Sequence, residues 1–171
     1  VYTAAVTAGG ATDPGGGPPV IALTETFNGT SWTEVGDLNT ARRTLAGGGT
    51  STSAILAGGD TGSTVGIAES WNGSSWTEVN DLNTARRRSA GGGTSNTAAL
   101  IFAGDTGSNS ALTELWDGTS WTEVADMSSA RQLLGGTGTP AAALAFGGGD
   151  SNSTEEFLGA GSPVTETITT S

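Results

Sequence analysis

Four kinds of residue recur in this chain at spacings that could do chemistry. Glutamates stand at Glu25, Glu69, Glu114 and Glu155, and a second set stands at Glu34, Glu78 and Glu123. Two carboxylates held face to face can work as general acid and base. Arginines stand at Arg42, Arg86 and Arg131, and a guanidinium fork either clamps an anionic ligand or pairs with a carboxylate. Asp60, Asp105 and Asp150 lie among Ser, Thr and Asn, oxygen-bearing neighbours of the kind that hold calcium. Trp32, Trp71, Trp76, Trp116 and Trp121 are broad enough to stack a sugar ring.

Each of these sets has a plainer use. A catalytic pair needs one copy that differs from the others, and these glutamates are the same in every copy. We expect them to pair with the repeat arginines or to line an exposed edge. One carboxylate per loop is thin beside a dedicated calcium loop, and Asp, Gly, Ser and Asn build turns directly. Asp60, Asp105 and Asp150 are therefore weak calcium candidates, and no metal or cofactor is expected. The tryptophans come mostly in pairs across a short turn, where packing explains them. Trp32 has Phe27 as its neighbour. The Asn28-Gly29-Thr30, Asn72-Gly73-Ser74 and Asn152-Ser153-Thr154 triplets match a glycosylation acceptor, and the first two fall on turns that want Asn-Gly anyway.

Composition closes off several classes. There are 17 acidic residues against six basic ones, all arginine, for a net charge of −11. Such a chain repels phosphate backbones and anionic membranes, so no nucleic-acid partner is expected. No apolar run reaches the ~18 residues of a membrane span, so no membrane insertion is expected. The chain has no Cys and no His, which rules out disulfides, thiol catalysis and histidine-based sites. It has no nucleophile elbow and no phosphate loop.

The elements that must position these residues follow from a repeat. Ser-Trp-Thr-Glu-Val occurs at Ser31, Ser75 and Ser120, at spacings of 44 and 45 residues. Ala-Arg recurs in the same register at Arg42, Arg86 and Arg131. A period of this size belongs to repeat architectures in which each unit buries its faces against its neighbours. Within a unit the spacing predicts four strands. These are a glycine-rich run (Leu45 to Thr50), a small apolar run ending in Gly58-Gly59, a run ending in an aromatic (Trp71), and the Ser-Trp run. Asn-Gly or Asp-Gly between the last two predicts a hairpin, because both residues tolerate positive φ. No segment shows sustained helical periodicity. Four short antiparallel strands per repeat is the pattern of a β-propeller blade.

The chain resembles Kelch repeats. The resemblance rests on Arg42, Gly58-Gly59, Trp71 and Trp76, and again on Arg86, Gly104, Trp116 and Trp121, in that order. It covers nearly the whole chain, although the period is shorter than the roughly 50 residues usual for Kelch. It implies an all-β propeller of about four Kelch-like four-stranded blades, as one domain over 1–171 with blades near 1–37, 38–82, 83–127 and 128–171. Those blades could belong to a larger ring or oligomer. Kelch-type oxidases use metal-binding His and Tyr, and with no His here that activity is not implied. The phrase is similar to Kelch-like arrays of phage structural proteins and of aquatic microbial surface proteins.

The first unit lacks its glycine-rich strand and the last one decays after Phe157. We expect Val164 to Thr169 to form a closing strand beside Val1 to Gly10, or else the chain to be part of something longer, processed or cut from it. The function expected is a non-enzymatic structural or attachment module, on a virion or tail fibre, presenting loops to a host-surface ligand such as a glycan. The alternative is an exported bacterial adhesin or protein-interaction propeller. Both place it outside the cell or on a virion surface, among other virion or surface proteins, with homo-oligomerisation open. A propeller hydrolase or lyase would need one blade with singular residues.

Overall fold

The computed structural model describes residues 4–12, 19–149 and 152–159. The described residues form strands joined by turns and irregular links, in four separate antiparallel sheets. The first sheet is β1 (Ala5–Ala11), β2 (Val20–Phe27) and β3 (Trp32–Glu34). The second is β4 (Ala46–Thr50), β5 (Ser53–Ala57), β6 (Ala68–Trp71) and β7 (Trp76–Val79). The third is β8 (Ala90–Ser95), β9 (Ala98–Asp105), β10 (Asn109–Trp116) and β11 (Trp121–Glu123). The fourth is β12 (Gly135–Thr139), β13 (Ala142–Phe146) and β14 (Thr154–Phe157). Each sheet is a meander in chain order, and none closes into a barrel.

The strands fall where the repeat places them. The glycine-rich runs are β4, β8 and β12, and the small apolar runs are β1, β5, β9 and β13. Among the described residues the first sheet has three strands, with no glycine-rich strand beside β1. Val164 to Thr169, Asp150 and the first three residues lie outside the described residues.

The glycine runs have a steric cause. A Cβ on Gly48 would collide with the backbone of Gly92 and Gly93, and one on Gly92 would lie 2.8 Å from the carbonyl oxygen of Gly138. So β4, β8 and β12 stack backbone against backbone, and any side chain at these positions would force the sheets apart. The neighbouring strands supply the hydrophobic layers. Trp71, Trp76, Leu38 and Ala54 pack on Val6, Ala8 and Ala22 of the first sheet. Ile55 and Ala57 meet Ala99, Ile101 and Trp121 between the second and third sheets. Leu100 and Phe102 meet Ala143 and Ala145 between the third and fourth. Residues two apart on one strand face the same way. In each middle sheet one alternation therefore serves the preceding sheet and the other the following one.

The hairpin expected at Asn-Gly forms, but without both of its residues at positive φ. Trp71 pairs with Trp76, so the loop has four residues, and only Gly73 takes positive φ, at 96°. Asn72 acts through its side chain, whose Oδ1 accepts from the backbone N–H of Ser74 and of Ser75, both at 2.9 Å. Asn28 and Asp117 do the same in the other hairpins. Asx-type side-chain capping replaces the left-handed Asn that a tighter turn would need.

Candidate functional site

The recurrent glutamates and arginines meet in three equivalent buried sockets. Glu69 sits on β6 and Arg42 on the link before β4, and both side chains are fully buried. Arg42 Nη1 donates to Glu69 Oε1 at 3.0 Å, and the backbone N–H of Thr40 donates to the same oxygen at 3.4 Å. The other oxygen accepts from the backbone N–H and the side-chain amide of Asn39, each at 2.7 Å. That amide also donates to the carbonyl of Trp76 at 3.1 Å. The link has no ladder of its own, and the carboxylate takes its orphan donors.

The second socket repeats this. Glu114 accepts from Asn83 N and Nδ2 at 2.8 Å, from Thr84 N at 3.3 Å and from Arg86 Nη2 at 2.8 Å. In the third, Glu155 accepts from Ser128 N at 2.6 Å and Arg131 Nη2 at 2.9 Å. There Ser128 stands in place of the Asn and brings no amide. Burial pushes the Arg42 and Arg86 guanidinium values down, and the paired Glu69 and Glu114 pull them back up.

Asp60 and Asp105 occupy one rim. Arg87 lies between them, with Nη1 at 2.7 Å from Asp60 Oδ2 and Nε at 3.0 Å from Asp105 Oδ2. Arg43 reaches Asp60 at 3.5 Å and Arg88 reaches Asp105 at 3.6 Å. Each aspartate also accepts a turn N–H, from Gly62 at 2.7 Å and Gly107 at 2.8 Å. That turn bond, helped by Arg87, holds Asp60 below the usual carboxylate range despite its burial. The Gly107 N–H and then Arg87 do the same for Asp105. The two aspartates in turn raise Arg87. The cation these loops hold is thus an arginine, and a calcium ion at Asp60 or Asp105 would have to displace it. Among the described residues no cluster of three metal-ligating carboxylates, His or Cys forms. Asp150 lies outside the described residues.

Four of the tryptophans are buried with their indole N–H bonded. Trp71 donates to the carbonyl of Ser51, Trp116 to that of Asn96 and Trp121 to that of Asn80, each at 2.9 Å, while Trp76 donates to Thr24 Oγ1 at 3.0 Å. The hairpin pairs have centroids 5.1–5.2 Å apart with planes tilted by 38–39°. Trp32 is the exception. Its sequence position predicts a packed aromatic, yet it is 49% exposed. Trp76 and Trp121 are buried by the sheet before their own, and among the described residues no sheet packs on Trp32 in that way.

The second set of glutamates lies directly across from the first. Glu34 faces Glu25, Glu78 faces Glu69 and Glu123 faces Glu114. In the second and third sheets the inner carboxylate is buried on its arginine and only the outer one is exposed. In the first sheet both are exposed, and neither forms an ion pair among the described residues.

The Asn39 and Asn83 amides and the bridging role of Arg87 were not read from the sequence. The recurrence of Asn three residues before Arg is the signal that points to the first. Arg87 sits inside a run of arginines that hides it.

No family model matches the chain, and no curated protein matches it. Among solved structures the chain is similar to YjhT, with a TM-score of 0.68 at 10% identity, covering 86% of this chain and 52% of that one. At this identity the likeness speaks to fold alone. The chain spans about half the length of that protein.

Proposed function

We propose that this chain is a non-catalytic attachment module built as a β-propeller segment of Kelch-like repeats, carried on a virion or tail fibre and presenting its loops to a host-surface ligand such as a glycan. One observation carries the non-catalytic part. All five buried carboxylates among the described residues, Asp60, Glu69, Asp105, Glu114 and Glu155, are held by arginines. A general acid or base needs a carboxylate free to take or give a proton, and these are engaged in holding links and rim together. The propeller reading is supported by the meander of each sheet, by the stacked glycine strands and by the repeated aromatic pair. The Kelch reading is supported by the order of Arg, Gly-Gly and paired aromatics, and the virion assignment by the resemblance of its repeat phrase alone.

In sequence, the segments joining the second and third strands vary from repeat to repeat, at 12–19, 58–67, 106–108 and 147–153, while the four-residue hairpins at 28–31, 72–75 and 117–120 stay alike. Those segments are where specificity for a ligand would reside.

The test is a glycan array probed with the labelled chain, run beside an assay for released sugar on the same glycans. Saturable binding without release supports the proposal. Polysaccharide turnover abolished by one Glu substitution refutes it. Labelled antibody on the producing culture separates virions from cell envelopes, and labelled envelopes with bare virions refute the virion assignment.

A further inference from the structure

The hairpin tips hold a reactive arrangement that the sockets and the rim do not use. Asn28 and Asn72 are the asparagines followed by glycine, and both are exposed. The side-chain oxygen of Asn72 accepts from the backbone N–H of Ser74 and of Ser75, both at 2.9 Å. That of Asn28 accepts from Thr30 and Ser31 at 2.9 and 3.0 Å. Two converging N–H donors at this distance stabilise an oxygen that gains negative charge. The N–H groups of Gly29 and Gly73, next in the chain, donate to nothing among the described residues, and glycine has no Cβ to crowd its nitrogen. A polarised carbonyl carbon and an unengaged nitrogen therefore stand on adjacent residues. The third hairpin has a carboxylate in the same place. Asp117 Oδ1 accepts from the N–H of Thr119 and of Ser120, both at 2.8 Å. Its other oxygen accepts from Ser120 Oγ at 3.3 Å, where Asn72 Nδ2 donates to Ser75 Oγ at 3.3 Å.

The geometry points to Asn28 and Asn72 as self-modifying sites, each of which loses ammonia through a cyclic imide and ends as a carboxylate. In the second sheet the Gly73 nitrogen attacks Asn72 Cγ, and the charge that develops on Oδ1 falls between the Ser74 and Ser75 N–H groups. The Cγ–Nδ2 bond breaks, and the amide leaves as ammonia with the proton that Gly73 gives up, carried by water. Water then opens the imide. Opening at Cγ gives Asp, which the Asp117 hairpin shows to fit the turn. Opening at the backbone carbonyl gives isoaspartate, whose main chain runs through Cβ and Cγ and loses the cap. Each event adds a negative charge to an already acidic chain. The inference goes beyond the attachment reading and does not depend on it.

The test incubates the intact chain at mildly alkaline pH, below its thermal midpoint, beside the same chain unfolded in guanidinium chloride. Peptide mass spectrometry follows the exchange of NH for O at each asparagine. Loss at Asn72 and Asn28 is expected to run about tenfold faster in the folded chain, less than a water-excluded oxyanion hole would give because these hairpins are exposed. Loss no faster than in the unfolded chain overturns the proposal, since the fold then gives the reaction no help. Loss at Asn80, Asn96 and Asn109 as fast as at Asn72 also overturns it. The Asn28→Asp, Asn72→Asp chain is expected to keep its thermal midpoint, and a clear fall overturns the fit of the product to the turn.

Discussion

Glu114→Ala is the substitution that asks most of the buried sockets. It removes the acceptor of four hydrogen bonds, from Asn83 N, Asn83 Nδ2, Thr84 N and Arg86 Nη2. It leaves Arg86 charged at 0% side-chain exposure. Breaking a buried pair from one side costs about 3–5 kcal/mol, because the remaining charge stays desolvated. For a domain of this size that lowers the thermal midpoint by roughly 6–20 °C. Glu25→Ala, at the equivalent but exposed position, is expected to stay within about 0.5 kcal/mol. Replacing both members, Arg86→Met with Glu114→Leu, is expected to recover much of the loss, since a buried pair is a poor stabiliser against packed hydrophobic groups. The assay is equilibrium urea unfolding of the four chains, followed by tryptophan fluorescence. A loss below about 1 kcal/mol for Glu114→Ala, or one equal to that of Glu25→Ala, refutes the reasoning.

Other outcomes follow from the same geometry. Trp121→Ala removes a buried indole bonded to Asn80 and is expected to cost about 3–5 kcal/mol, while Trp32→Ala costs about 1 kcal/mol or less, both read from urea midpoints. Gly73→Val places a β-branched residue at φ 96° and is expected to lower the thermal midpoint, whereas Ser74→Ala beside it leaves it nearly unchanged. Leu133 holds φ 59° while 66% exposed. Leu133→Gly is therefore expected to stabilise by about 0.5–1 kcal/mol, as relief of the left-handed strain outweighs the added freedom of the unfolded chain. Asp60 and Asp105 hold protons less tightly folded than unfolded. Their stabilisation is present above the unfolded value of about 3.9 and is lost as pH falls through the lower folded values. Thermal midpoints should fall below about pH 4, and less steeply in an Asp60→Asn, Asp105→Asn chain.

The strands were legible because the repeat prints its interior several times over. Ala-Gly-Gly-Gly recurs where backbones touch, and Trp recurs where sheets stack. The Arg–Glu sockets were legible in outline, since one carboxylate and one guanidinium recur in register and each needs a partner when buried. The ends were not. Glu25 and Trp32 have the same residue types as their repeats and a different environment, because burial in a repeat array belongs to the neighbouring unit and not to the residue. The hairpin was legible from Asn-Gly, while its loop of four residues with only Gly73 at positive φ comes from the pairing of Trp71 with Trp76. At Asp60 and Asp105 the loop composition suggested oxygen ligands, while the cation came from Arg87, distant in sequence.

The central claim is that buried carboxylates hold the irregular links as firmly as sheet hydrogen bonds hold the strands. Native-state hydrogen exchange of the backbone amides of Asn39, Thr40, Asn83, Thr84 and Ser128 tests it without any mutation. These amides sit outside the strands, yet each donates to a buried Glu oxygen. The account predicts exchange as slow as that of β5 and β9. Exchange as fast as that of the exposed hairpin amides of Thr30 and Ser74 would contradict it.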